Sequence, residues 1–120
     1  MAQEETTTLS LRFDKDGLVG CIVVDAASKD VLMFAHMNAE ALAETQRTGL
    51  IHFYSRSRQM LWKKGETSGE LFRVVELRVD CDQDCLLARV VPQGKGNACH
   101  TGRHSCFYRS IDGERLTFKA

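Results

Sequence analysis

The sequence predicts an α+β domain, with mainly antiparallel strands, one main helix at about residues 38–48, and a single core. Three observations carry that expectation. Apolar stretches of strand length recur between turn residues from Leu18 to Phe118. Only one segment has clear helix start and stop signals. A chain of 120 residues, 43% of them hydrophobic, buries roughly two-thirds of the surface it exposes when unfolded, enough for one core.

Taken in order, residues 1–10 are polar, with Glu4 and Glu5 ahead of three threonines, and read as a flexible leader to a domain over residues 11–120. Leu18–Asp25 is rich in β-branched residues and reads as a strand. Ala26–Asp30 is a polar turn and Val31–His36 a second strand, so the two are expected to form a hairpin. Asn38 suits the N-cap of a helix that runs to about Thr48, where Gly49 suits its end. Leu50–Ser55 alternates and carries two aromatics, as a strand does.

Arg56–Gly69 is polar, basic and glycine-bearing and reads as a long loop, of the kind that is functional or disordered. Leu61-Trp62 argues against disorder. Phe72–Val79 alternates as a strand, Leu86–Val91 is another, and Pro92–Asn97 is a glycine-rich loop. Cys106–Ile111 and Leu116–Phe118 are late strands about the Asp112-Gly113 turn.

Charge excludes some partners. Lys plus Arg and Asp plus Glu number 16 each, which argues against bulk attraction to duplex DNA or an acidic membrane surface. The N-terminus has neither the basic start nor the apolar run of a secretory signal, and no apolar stretch is long enough to span a bilayer. Five cysteines without an export signal point to reduced thiols and a cytoplasmic protein. Clustered cysteines in that setting suggest metal binding or catalysis before disulfides.

The densest chemistry is Asp80-Cys81-Asp82-Gln83-Asp84-Cys85. On an extended strand its three aspartates share one face and its two cysteines the other. Carboxylates suit magnesium or calcium, whereas thiolates suit zinc. The competing reading is a solvated acidic edge paired with arginines. An EF-hand fails, because the sixth position is Cys85 instead of glycine and the twelfth is Val91 instead of glutamate. Cys81 and Cys85, some 13 Å apart on a straight strand, would not serve one ion. Cys21, inside an apolar strand, reads as core.

A second cluster, Cys99-His100-Thr101-Gly102-Arg103-His104-Ser105-Cys106, brackets a glycine turn with two cysteines that can converge on one tetrahedral ion. Two buried free cysteines beside an ordinary turn is the alternative. Neither pair is a zinc-finger CxxC, so a further ligand would come from elsewhere.

Read together, these segments resemble the phosphoribosyl-AMP cyclohydrolase family. The matching pieces are Val31-Leu32-Met33, Met37-Asn38, Glu40-Ala41-Leu42, Ser55-Arg56-Ser57-Arg58, Leu61-Trp62-Lys63-Lys64-Gly65-Glu66-Thr67-Ser68-Gly69 and Val74-Val75-Glu76. Asp80-Cys81-Asp82-Gln83-Asp84, Cys99-His100-Thr101-Gly102 and Ser105-Cys106-Phe107-Tyr108 follow in family order.

The resemblance implies magnesium at Asp80, Asp82 and Asp84. It implies zinc at Cys81, Cys99 and Cys106, in a homodimer whose zinc sites draw ligands from both subunits. Cys85 stands where the family pattern asks for no cysteine, and the Pro92–Asn97 loop is slightly longer than usual. Some relatives carry a fused pyrophosphohydrolase domain. This chain is too short for one, so the cyclohydrolase step alone is expected.

The implied reaction adds water to C6 of the adenine ring of phosphoribosyl-AMP and breaks the N1–C6 bond, a step of histidine biosynthesis. Three thiolates leave zinc's fourth position open, as in catalytic rather than structural sites. His100, beside a ligand, is the leading general acid/base, while His104 has the lesser claim of orienting the turn. Arg56, Arg58, Lys64 and Ser68, with Lys63, Ser55, Ser57 and Thr67, offer a basic, hydroxyl-rich cradle for the substrate's two phosphates. A solvated basic loop is the bland alternative. Trp62 either stacks on the purine or anchors packing.

Two other functions compete. A non-catalytic zinc-bridged dimeric module predicts a closed four-ligand zinc and unfolding on chelation. A zinc hydrolase of another purine nucleotide is the nearest enzymatic rival. A nucleic-acid-binding module is weaker, since the basic residues are confined to one segment.

Overall fold

The computed structural model describes residues 5–119. The first four residues of the expected leader lie outside them. Eight strands and one helix follow in the order β1 Val19–Asp25, β2 Val31–Met37, α1 Ala39–Thr48, β3 His52–Ser55, β4 Met60–Lys63, β5 Phe72–Val79, β6 Cys85–Pro92, β7 Arg109–Asp112 and β8 Arg115–Phe118. The α+β expectation holds, and most strand pairs are antiparallel.

One pairing departs from it. The main sheet has the order β2-β1-β6-β5, and its central pair, β1 with β6, is parallel. A parallel pair needs a long crossover, and everything from β2 to β5 forms it. β1 and β2 make the expected hairpin, pairing Val19 with Met37 through Val24 with Val31.

The helix begins and ends where local chemistry directs. The Asn38 side chain accepts the Ala41 amide at 2.8 Å, and Gly49 ends the helix at φ 78°, its amide reaching the Thr45 carbonyl. Ala41, Leu42 and Thr45 face inward. The Thr45 hydroxyl accepts the His52 amide at 2.9 Å, which binds helix to β3.

The segment Arg56–Gly69 is not one loop. Met60–Lys63 forms β4 and pairs with β3, from His52 against Lys63 to Ser55 against Met60. Four residues are too few for alternation to register in the sequence. The hairpin still orders Trp62, whose ring lies 5.2 Å from that of Phe53. Trp62 thus packs against the core, in keeping with its anchor reading.

The core lies on one face of the sheet. Val19, Cys21 and Val23 of β1 and Leu86, Ala88 and Val90 of β6 meet Ala41 and Leu42 of α1 with Ile51, Phe53 and Phe72. Cys21 is fully buried there, its thiol pushed up to about 12 chiefly by desolvation. It is a core residue, as expected. The other sheet face presents Ile22, Val24, Leu87 and Val91, half-exposed, and Phe34, 48% exposed.

The acidic segment also differs from its expected geometry. Asp80–Asp84 is a turn between β5 and β6, closed by the Asp80 amide on the Cys85 carbonyl and the Gln83 amide on the Asp80 carbonyl. The straight-strand separation of Cys81 and Cys85, and the shared face of the aspartates, therefore do not apply. Gln83 sits at φ 57° and is 4% exposed. Its side chain accepts the Ser10 amide at 2.7 Å and donates to the Thr8 carbonyl at 3.2 Å.

Candidate active site

The second cysteine cluster folds as a compact loop. The Gly102 amide reaches the Cys99 carbonyl, the Cys99 amide the Arg103 carbonyl, and the Ala98 amide the His104 carbonyl. Gly102 sits at φ 88°, a left-handed turn that glycine adopts without steric cost. The Cys106 amide ties the far end to the Leu32 carbonyl of β2 at 2.7 Å. The loop thereby brings Cys99 and Cys106 near enough for each sulfur to shift the other's acidity.

Their environments differ. Burial pushes the Cys99 thiol up. The Thr101 hydroxyl and amide, a hydrogen bond from Cys106 and the Arg103 charge outweigh it, and the thiol lies below its ordinary value. The hydroxyl stands 3.1 Å from Cys99 Sγ. Cys106 is pushed up to about 11, first by desolvation and then by the charge of Cys99, with the Lys64 ammonium opposing.

A cavity of about 510 Å³ opens beside Cys99, lined by Lys64, Ser68, Glu70, Lys95, Cys99 and His100, among others. His100 is exposed on the turn. Lys64 leads out of β4, its amide on the Ile51 carbonyl and its ammonium 5.4 Å from the Phe72 ring centre. Four expected residues, Cys99, His100, Lys64 and Ser68, are thus gathered in one place.

Arg56 and Arg58 stand elsewhere. They lie in the turn at the opposite end of the β3–β4 hairpin, where Ser55 Oγ accepts the Arg58 amide. From Met60 to Lys64 is about 13 Å of extended chain. Arg56 instead acts electrostatically on Asp14 and His36. One chain therefore does not assemble the basic cradle as a single surface.

Cys81 is also remote. It is exposed on the β5–β6 turn, and the whole of β6 separates it from the loop that carries Cys99. In the same turn, Asp80 Oδ1 accepts the Asp84 amide at 2.9 Å and the Cys85 amide at 3.2 Å. A hydrogen bond between the Asp80 and Asp84 carboxyls holds Asp80 below, and Asp84 above, the ordinary carboxylate range. Clustered carboxylates of this kind are the chemistry that a cation neutralises. Asp82 and Asp84 also line a cavity with His36, Asp14 and Arg12.

Among the described residues, no three His, Cys, Asp or Glu side chains gather to hold a metal ion within one chain. The donor chemistry nevertheless suits the expected groups. The neighbouring thiols of Cys99 and Cys106 are soft ligands for two positions of a zinc ion, and the acidic turn offers hard oxygens for magnesium.

Two residues not singled out from the sequence for the site support the cysteine loop. The Glu70 carboxylate accepts the Lys95 amide at 2.7 and 2.8 Å and the Asn97 amide at 3.3 Å. The Thr101 hydroxyl sits on Cys99. His104, given only a minor orienting role from sequence, hydrogen-bonds through Nδ1 to the Gly96 carbonyl and turns Nε2 toward Asp25 at 3.5 Å and Asp30 at 3.7 Å. Apart from the Thr101 bond, two residues from Cys99, these contacts span 8 to 79 residues of chain and leave no local spacing pattern to read.

Comparison with known proteins gives the family. The family model described as phosphoribosyl-AMP cyclohydrolase matches residues 33–108. A phosphoribosyl-AMP cyclohydrolase of Sphingopyxis alaskensis is 58% identical over 120 residues, covering 98% of this chain and 94% of the relative. The protein of that name from Rhodopseudomonas palustris is 60% identical over 109 residues, covering 91% and 73%. The one from Brucella canis is 57% identical over 110 residues, covering 92% and 79%.

Proposed function

The chain belongs to the phosphoribosyl-AMP cyclohydrolase family, and from that premise we propose that it is the hydrolase that opens the adenine ring of phosphoribosyl-AMP at its N1–C6 bond, in histidine biosynthesis. The observation that carries this reading is the cavity that places His100, Lys64 and Ser68 beside Cys99, with Cys106 near enough for the two thiols to perturb each other.

Cys99 and Cys106 of one copy, with Cys81 of another, would hold zinc, and Asp80, Asp82 and Asp84 would hold magnesium. Zinc, when bound, supplies the Lewis acidity that makes water a competent nucleophile near neutral pH. His100 takes a proton from the attacking water and delivers it to N1. The water oxygen bonds to C6, the N1–C6 bond breaks, the second water proton leaves the new hydroxyl for the exocyclic nitrogen or solvent, and C6 becomes the carbonyl carbon of a carboxamide. Lys64 and Ser68 bind one phosphate at the cavity wall. Arg56 and Arg58, at the far end of the hairpin, serve the other phosphate from a neighbouring copy.

Two features support a homodimer with a shared site. β6 keeps Cys81 far from Cys99 within a chain, and the sheet face opposite the core offers Ile22, Val24, Phe34, Leu87 and Val91 to a partner. The catalytic domain is taken to be residues 11–120. No helix among the described residues is long and apolar enough to cross a membrane; the cytoplasm is the compartment in which these thiols stay reduced.

The test supplies phosphoribosyl-AMP and follows ring opening by ultraviolet absorbance, with and without chelator. Turnover that chelation abolishes and zinc restores is expected. Unchanged turnover under chelation removes the zinc role. Retained folding with no turnover in any metal favours the non-catalytic zinc-bridged module, and turnover of a different purine nucleotide the rival hydrolase.

A further inference from the structure

We propose that Glu70 is a positioning residue for the cysteine loop, clamping residues 94–97 so that Cys99 and His100 stand in register with the cavity. The inference rests on the reading of Cys99 as a zinc ligand and His100 as the acid/base.

The chain leaves β6 at Pro92 and has only six residues before Cys99. A short glycine-rich stretch of this kind, Gln93-Gly94-Lys95-Gly96-Asn97, has no intrinsic preference for one path. Its course is set by contacts along its length. The Gln93 amide reaches the Leu71 carbonyl at 2.8 Å. Both oxygens of Glu70 accept the Lys95 amide, and one of them also accepts the Asn97 amide. On the other side, His104 takes the Gly96 carbonyl. Glu70 is the only side chain among the described residues that holds two amides of this stretch.

The surroundings of Glu70 are shaped to keep it there. A Cβ on Gly94 would overlap the Glu70 carboxylate, and a Cβ on Gly65 would overlap the Glu70 backbone. Gly65 also sits at φ 83°, where any other residue is strained. The Ser68 hydroxyl accepts the Glu70 amide at 3.2 Å. An anionic carboxylate on backbone N–H groups makes a charge-assisted bond, stronger than a neutral one. Glu70 therefore joins the Lys64–Gly69 wall of the cavity to the strand of chain that delivers Cys99, and both walls carry residues of the proposed site.

Glu70 touches no reacting atom in this scheme; its effect passes through the loop. Residues that orient metal ligands in this way typically change metal affinity or activity about 10–100-fold when removed.

The test compares full-length Glu70→Ala and Glu70→Gln with the parent in four measurements. These are amide hydrogen exchange at Lys95 and Asn97, zinc transfer to a chromophoric chelator, thermal midpoint, and kcat and KM. Glu70→Ala is expected to speed exchange at both amides, weaken zinc retention about 10-fold or more and lower kcat with little change in KM or thermal midpoint. Glu70→Gln, which keeps one carbonyl acceptor, recovers part of each loss. Wild-type zinc retention and kcat in Glu70→Ala overturn the proposal. So does a loss that merely follows the thermal midpoint in both variants. Should the parent itself neither hold zinc nor open the ring, the proposed function fails separately. Exchange at Lys95 and alkylation of Cys99 by iodoacetamide then decide this inference, and unchanged rates in both variants overturn it.

Discussion

Cys81 and Cys99 stand beyond opposite ends of the same strand, β6, whose eight residues extend about 26 Å at ~3.3 Å per residue. A zinc ion spans less than 5 Å between ligand atoms, so one chain does not bring these two thiols to it. A second copy does.

Subunit mixing tests that arrangement directly. Cys81→Ala and Cys99→Ala are each expected to lack turnover alone. When the two are mixed and allowed to exchange subunits, half the dimers contain both variants. In each of these, one site has both substitutions and the other has none, so about a quarter of parental activity returns for two-fold symmetric dimers. Mixtures that stay inactive after demonstrated exchange would place all three thiols within one chain.

His100 lies on the cavity wall next to Cys99. Removing a general acid/base typically costs about 10²–10⁴ in rate. His100→Ala should show a kcat loss in that range with its zinc content intact, as measured by metal analysis of the purified protein. Parental kcat would remove His100 from the chemistry, and loss of zinc would make it a structural neighbour of the ligand.

Gln83 anchors the residues ahead of β1 through its side chain and through its carbonyl, which accepts the Arg12 amide at 2.7 Å. Gln83→Ala removes the side-chain hydrogen bonds to Ser10 and Thr8, both exposed residues, at a cost of about 0.5–1.5 kcal/mol. Urea unfolding should report that loss, and limited proteolysis should cut near Ser10 sooner. A midpoint unchanged from the parent would show that solvent replaces the clamp freely.

His36 gives the protein a pH dependence of known sign. Desolvation, followed by the Arg56 charge, lowers its pKa below the ordinary value, with Asp14 opposing. The unfolded chain therefore binds this proton more readily than the folded one. Stability falls as pH drops from about 6.5 toward the folded pKa, and is regained above that window. His36→Gln should flatten this part of a plot of urea midpoint against pH between about 5 and 7.5. An NMR titration midpoint at or above 6.5 for the parent would contradict the sign.

Local chemistry made much of this protein legible from its residues. Asn38 and Gly49 delimit α1 because caps satisfy backbone groups within one turn. β5 was readable because a half-buried strand repeats every second residue, and β1 because β-branched residues favour strands. Cys21 was recognisable as core from its apolar neighbours. The chemistry of the Cys99–Cys106 segment, and the family, were likewise present in contiguous residues.

Other features exist only once distant parts of the chain meet. β4 is too short to show a period, and Met60–Lys63 becomes a strand because β3 supplies its hydrogen bonds. The parallel pairing of β1 with β6 depends on how the intervening crossover packs, which neither strand encodes. The acidic segment looked extended, yet Asp80 folds it into a turn by accepting amides four and five residues ahead. The β3–β4 hairpin separates Arg56 and Arg58 from Lys64 and Ser68, although all four belong to one polar stretch. Glu70 meets Lys95 and Asn97 across 25 and 27 residues. Backbone amides can pair with any acceptor that folding brings near, so such contacts leave no residue-type signature, whereas caps, periodicity and clustered thiols do.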